Sequence, residues 1–378
     1  MTRPTSYRGD LRRHGWFPVL QWVLVHELDP DLRCPISAPL DPPAWEALLS
    51  VVSDQRIAGH LAAAVDAGLP VTSAQREAAL GAHRTAVMAD LGIEQAVLGL
   101  AELLDRGGIE WRLIKGLVAA RLLYRDPALR STGDVDVVIR PQQFSEAVAL
   151  VHTKGGASWE YVSHGRAASD AAAARTFMHS TGIELDLHRQ VRGHAGRFAL
   201  PTALLFDQPQ EVVLHGHALP VPSTSVVILH AMLHLSKGGP SQFGRLSTLG
   251  DLLRARTEHG DDYQRALQLA REVGCTTPAL WADRVVSEWF PLAAEGTERS
   301  IALVDELPVR LFDRMVASAF VAGHLHRFVG PHRLRRAWES AFPTAEFRQR
   351  HDRTPGSQVR HVAVRLFTGR SREQGTDD

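Results

Sequence analysis

Trp111-Arg112-Leu113-Ile114-Lys115-Gly116, then Leu117 to Tyr124, then Arg130-Ser131-Thr132-Gly133-Asp134-Val135-Asp136-Val137-Val138-Ile139, reads as strand, glycine turn, helix, loop and strand. Alternation along the last segment puts Asp134, Asp136 and Val138 on one face and Val135, Val137 and Ile139 on the other, apolar face. Two carboxylates thus stand side by side. Like charges at that spacing repel, and a strand tolerates them most easily with a cation between them or with full solvation. Magnesium suits the position, because it is a hard ion held by one or two carboxylates together with substrate phosphates.

A second acidic strand follows at Gly182-Ile183-Glu184-Leu185-Asp186-Leu187-His188. Here Ile183, Leu185 and Leu187 face a core, while Glu184, Asp186 and His188 face the other way. Alternation alone does not choose between Glu184 and Asp186 as a third carboxylate. Three carboxylates on two neighbouring strands suit a two-metal site, with ions roughly 3.5 to 4 Å apart clamping the attacking and leaving oxygens of an in-line displacement. Upstream, the Lys115-Gly116 turn opens a helix whose free amides and dipole favour phosphate, and glycine permits close backbone approach. Lys115 and Arg130 are placed to neutralise phosphate charge. His188 reads either as a metal or phosphate contact or as a structural hydrogen-bonding group. His230 and His234, four residues apart, share one helix face with zinc-type spacing. No third ligand accompanies them, so core packing or a cleft wall is the expected role. Lys237, Arg245 and Asp251 follow on and are candidates to face a nucleotide, or ordinary surface charge.

Outward from this core the pattern is helical. Trp45, Leu48, Leu49, Val52 and then Ile93, Val97, Leu98, Leu100, Leu103 and Leu104 recur at helical spacing, with a break at Leu69-Pro70. After Pro222, Ser223-Thr224-Ser225 can cap a helix through hydroxyl acceptance. Further helical patterns run through Leu246 to Arg256, Tyr263 to Val273, Pro278 to Trp289 and Pro308 to His326. The expected organisation is a helical region over 1–106, a core of short strands and helices over 107–221, a second helical region over 222–342, and an arginine-rich, partly disordered tail over 343–378.

The 378 residues are 44% hydrophobic, enough to bury a sizeable core, and 42 basic residues balance 42 acidic ones. Nothing global therefore marks nucleic acid or membrane as a partner. The arginines from Arg310 onward, among them Arg327, Arg333, Arg335 and Arg336, read as a solvated face and loose tail before they read as an anion-binding surface. Two cysteines, Cys34 and Cys275, lie far apart in no metal-type spacing, and a reducing, cytoplasmic compartment is the expectation. Arg12-Arg13 and the apolar run Trp16 to Val25 lack a small-residue cleavage site and read as a short packed helix, not a targeting signal. No stretch is long enough to span a bilayer.

The run from Lys115-Gly116 through Arg130 to Gly133-Asp134-Val135-Asp136, followed by Glu184-Leu185-Asp186-Leu187-His188, resembles the uncharacterised bacterial nucleotidyltransferases of the DNA polymerase beta type. His230 to Asp251 is similar to that family's helical part, and the resemblance covers about residues 45 to 300. It implies an α/β (α+β) fold: a minimal nucleotidyltransferase core with a small mixed sheet and added helices. It also implies Asp134 and Asp136 as metal ligands, Asp186 as the third carboxylate, and Mg2+ or Mn2+ with a nucleoside triphosphate, ATP being expected, as co-substrate. The implied reaction moves a nucleoside monophosphate to a hydroxyl or similar group of a small-molecule or protein acceptor. In the superfamily the turn glycine is usually followed by Ser or Gly, whereas Leu117 follows Gly116 here. That departure motivates an alternative, a catalytically silent nucleotide- or partner-binding protein. The arginine-rich end motivates another, an RNA-modifying transferase with salt-dependent binding.

Overall fold

A computed structural model describes residues 14–29, 31–154, 158–162, 174–191, 198–238 and 246–289. The arginine-rich end, the helix expected over Pro308 to His326, and Arg245 lie outside these residues, as does the side chain of Lys237.

The N-terminal part consists of α1 (Phe17–Val25), α2 (Pro42–Asp54), α3 (Ala58–Asp66) and the long α4 (Ser73–Arg106). Local chemistry sets these boundaries. Asp41 accepts the Ala44 amide at 2.8 Å to cap α2, with prolines opening the first turn. Thr72 and Gln75 form a reciprocal capping box that starts α4. The break expected at Leu69-Pro70 is the α3–α4 connection.

The central part runs β1 (Trp111–Ile114), α5 (Gly116–Leu123), a 3₁₀ turn at Pro127–Leu129, β2 (Asp134–Ile139), α6 (Phe144–Lys154), β3 (Trp159–Tyr161), β4 (Ala174–His179) and β5 (Glu184–His188). These strands form one mixed sheet in the order β1-β2-β5-β4-β3. Only β2 and β5 run parallel, in a register that places Asp134 opposite Glu184, Asp136 opposite Asp186 and Val138 opposite His188. The sequence pattern gave β2 an acidic and an apolar face, and the strand is buried almost throughout: Asp136 and Val138 are as enclosed as Val135, Val137 and Ile139.

After α7 (Thr202–Phe206), β6 (Gln210–Leu214) and β7 (His217–Val221) form a separate hairpin, which the sequence reading did not resolve. Its two-residue turn, His215-Gly216, takes positive φ at both positions, as right-handed strand twist requires. Then come α8 (Thr224–Gly238), α9 (Leu246–Glu258), α10 (Gly260–Glu272) and α11 (Thr276–Trp289), close to the expected helical patterns. The hydroxyls of Thr224 and Ser225 donate to Gln210 Oε1 and Asp262 Oδ1 at 3.0 and 2.6 Å, tying the start of α8 to β6 and α10. The buried apolar residues form one continuous cluster from Trp16 to Val286, so the flanking helices share a core with the sheet.

The N-terminal helices approach the core closely at Gly59. A Cβ there would lie 2.5 Å from the Ala128 carbonyl oxygen and from Leu129 Cα, so α3 rests directly on the backbone leading into β2. Gly59→Ala is expected to destabilise the fold by about 1–3 kcal/mol through overpacking against backbone that cannot rotate away. Gly99→Ala, on the exposed side of α4 with open space around it, is expected to stabilise by about 0.5–1 kcal/mol. Urea denaturation of the two variants checks the pair; equal effects of the same sign would refute the packing argument.

Candidate active site

β2 and β5 present the acids, and their parallel register sets the spacing. Asp136 and Asp186 are direct neighbours across the strand pair, and His188 projects from the same face of β5 two residues on. One ligand atom from each of these three residues lies within 4.8 Å of the others, a group that could hold a metal ion. Thr176 Oγ1 on β4 donates to Asp186 Oδ1 at 2.6 Å and fixes that carboxylate from the opposite side. Glu184 is exposed, so the geometry that alternation left open now separates the two acids.

Asp136 is the centre of the group and is 2% exposed. Lys115 Nζ and His188 Nε2 both donate to its Oδ1, the histidine at 2.7 Å. Burial opposes ionisation, but the Lys115 ammonium and the His188 hydrogen bond outweigh it and hold the Asp136 carboxyl far below the usual carboxylate range. Reciprocally, burial works against the Lys115 charge, and Asp136 overcomes it to raise the lysine. Lys115 caps α5 without using its side chain, at φ +62°, a left-handed backbone position uncommon for residues carrying a Cβ. That conformation turns the side chain from the helix end toward the acid.

Asp134 sits on the rim of the site. Its Oδ1 accepts a bond from Arg56 Nη1 at 3.0 Å, and both side chains are about one quarter exposed. Arg56 lies between α2 and α3, and its guanidinium occupies the space where a side chain at Gly133 would be. Sequence reasoning missed Arg56, since nothing local to Gln55-Arg56-Ile57 signals a contact 78 residues away. It also missed Asp90 of α4, whose Oδ1 accepts the Thr132 amide at 2.7 Å and steers the loop into β2.

Beside the acids lies a small cleft lined in part by Arg56, Lys115, Gly116, Arg130, Asp134 and His230. His230 and His234 of α8 form its far wall, with ring centroids 6.4 Å apart. Burial first, then the nearby Lys115 charge, keeps the His230 imidazole neutral. Gly116 lines the cleft, and a Cβ there would press on Arg130 Nη1 and Thr132; its smallness serves loop packing. Arg130 is a strut as much as a cleft residue. Its Nε and Nη2 donate to the two oxygens of Asp251 at 3.2 and 3.1 Å, Nη1 donates to the Ser131 carbonyl, and Tyr124 donates to the same Asp251 at 3.0 Å. This buried network joins the turn before β2 to α9.

A small mixed sheet with an Asp-x-Asp strand, a parallel acidic neighbour and a preceding Lys-Gly helix is a nucleotidyltransferase-type core. The profile of a family described as uncharacterised nucleotidyltransferase matches residues 41–291, and the chain belongs to that family. No curated protein matches the chain in sequence. Among solved structures it is similar to a lincosamide antibiotic adenylyltransferase with lincomycin bound (13% identity, 36% of this chain, 83% of that one, TM-score 0.26). It is also similar to the antibiotic-resistance factor ANT(2'')-Ia (12%, 48%, 93%, 0.36). A third similarity is to an antigenic nucleotidyltransferase-like protein from Paracoccidioides brasiliensis (16%, 50%, 92%, 0.31).

The tether to Thr132 titrates. Burial raises the Asp90 carboxyl from 3.8 to about 6, only partly offset by the Thr132 amide. The folded chain therefore keeps this proton to higher pH than the unfolded chain, so the site's contribution to stability falls as pH rises from about 4 through about 6. Asp90→Asn retains an acceptor for the Thr132 amide without titrating. Its unfolding free energy relative to the parent is expected to move in the variant's favour between pH 4 and 6 and to level off above. Urea denaturation across that range checks the sign.

Proposed function

We propose that the chain is a metal-dependent nucleotidyltransferase that moves a nucleoside monophosphate from a nucleoside triphosphate, ATP foremost, to a hydroxyl or similar group of a small-molecule or protein acceptor. The observation that carries this reading is the group of Asp136, Asp186 and His188 beside Lys115, which with Asp134 lines the adjoining cleft. In this reading Asp134, Asp136 and Asp186 are the catalytic acids and metal ligands. The donor set fits the group: carboxylate oxygens suit Mg2+ and Mn2+, and the adjacent imidazole is better matched to Mn2+. A bound divalent ion would supply Lewis-acid polarisation of the phosphoryl oxygens and orientation of the reacting groups.

The chain's own residues do the rest. Asp186, steadied by Thr176, is placed to accept the proton of the acceptor hydroxyl as it attacks. Lys115 and Arg130, with Lys237 and Arg245, are assigned to the nucleotide. Burial of Asp136 keeps bulk water from the reacting centre, where fixed charges act in a low dielectric. His230 and His234 form the wall against which an acceptor or base would lie. Over the whole chain, the N-terminal helical region (1–106), the core (107–221), the C-terminal helical region (222–342) and the tail (343–378) are proposed as its parts. A cytoplasmic setting with its nucleotide pool belongs to the same reading. Among the described residues no helix is long and apolar enough to cross a membrane.

Asp186→Asn keeps side-chain shape and an acceptor for Thr176. It is expected to fold normally by circular dichroism while losing about 100-fold or more in divalent-ion-dependent triphosphate binding by isothermal titration. Parent protein that binds no nucleoside triphosphate in Mg2+ or Mn2+ would refute the proposed function.

A further inference from the structure

Each aspartate of the Asp-x-Asp strand has its own internal cation: Lys115 on Asp136 and Arg56 on Asp134. We propose that these two side chains are exchangeable counter-ions, holding the carboxylates while no divalent ion is bound and passing to the triphosphate when a divalent ion takes their place. The inference rests on the function proposed above and goes beyond it by adding Arg56 as a nucleotide-binding residue and by coupling metal binding to nucleotide binding.

Three observations carry it. First, both cations are held at left-handed backbone positions, φ +60° for Arg56 and +62° for Lys115, which cost energy in residues with a Cβ. Second, the corner bearing Arg56 is fixed on both sides. Gln55 Oε1 accepts the Leu246 amide of α9 at 2.9 Å, and Gly59 rests on the Ala128–Leu129 backbone. The guanidinium is thereby anchored where only its side chain needs to turn. Third, Arg56 and Lys115 both line the cleft with side chains 24% and 20% exposed, whereas Arg130, 8% exposed and paired with Asp251, faces it as a fixed charge and not an exchangeable one.

The electrostatics make the exchange reciprocal. A divalent ion arriving alone must displace two cations without bringing an anion for them, and a triphosphate arriving alone meets three carboxylates. Arriving together, the ion takes the carboxylates and the phosphates take Arg56 and Lys115, so neither charge set is left unpaired. Binding of the two is then cooperative, and by linkage each raises the affinity of the other equally.

Mn2+ binding, followed by the paramagnetic resonance of the free ion, tests this with and without a non-hydrolysable ATP analogue. The full chain is expected to bind Mn2+ about fivefold or more tightly when the analogue is present. In Arg56→Gln, Mn2+ alone is expected to bind about two- to fivefold tighter, because one competing cation is gone. Analogue binding in Mn2+ is expected to weaken about tenfold, because a charged phosphate contact is lost. Arg76→Gln, which removes an exposed pair with Asp66 far from the acids in sequence, is expected to change neither value. Weaker binding of Mn2+ alone to Arg56→Gln would make Arg56 a positioning residue for Asp134 and overturn the exchange. So would an unaltered analogue affinity. If Arg56→Gln does not fold, the parent decides: equal Mn2+ affinity with and without the analogue overturns the inference. A parent that binds neither Mn2+ nor the analogue, alone or together, instead removes the proposed function beneath it.

Discussion

The Asp136 carboxylate is the constraint on which the site depends. A charge that is 2% exposed is retained inside a protein only if donors and counter-charge surround it. The sheet register brings His188 from β5, and the strained turn after β1 brings Lys115, so one buried oxygen fixes the relative placement of three elements. Removing either donor would leave a buried charge under-compensated, which costs more than an ordinary surface contact contributes. The same oxygen that organises the core is the one a divalent ion would claim. Stability and proposed chemistry thus draw on one atom.

Around it, the flanking helices build what the minimal sheet cannot. A five-stranded sheet with strands of three to six residues offers an edge of acids but no enclosure. α3 closes one side through backbone contact at Gly59, α4 steers the loop through Asp90, and α9 is drawn in by the Arg130–Asp251–Tyr124 network. α8 then supplies His230 and His234 across the cleft. The helices before and after the core are therefore parts of the site, which agrees with a family match extending over residues 41–291.

The legible part of this arrangement was local. Period-two alternation identified β2 and β5 and put Asp134, Asp136, Glu184, Asp186 and His188 on their correct faces, because side-chain direction in a strand follows from position alone. Helical periodicity likewise marked α2 through α4 and α8 through α11. Contacts fixed by tertiary packing were not legible. Arg56 meets Asp134 across 78 residues, and Arg130 meets Asp251 across 121, with no local pattern to announce either. The hairpin at His215-Gly216 was missed because histidine in a left-handed turn position carries little signal beside the usual asparagine or aspartate. The tertiary acceptors of the Thr224 and Ser225 hydroxyls, Gln210 and Asp262, were likewise not legible.

The energetic cost of the site bears on whether the core acts as an enzyme or only as a silent binding fold. A buried ion pair is often no more stable than apolar residues of the same shape, and left-handed lysine and arginine add backbone strain. A scaffold with no chemistry to perform would lose little by filling this edge with Val or Leu, as the opposite face of β2 already does with Val135, Val137 and Ile139. Instead, Asp134, Asp136, Asp186, Lys115 and Arg56 are gathered beside an open cleft. Leu117, the departure from the usual residue after the turn glycine, is buried at 6% exposure and belongs to the apolar core. The expense is concentrated where phosphoryl chemistry would need it, and this distribution favours the enzymatic reading.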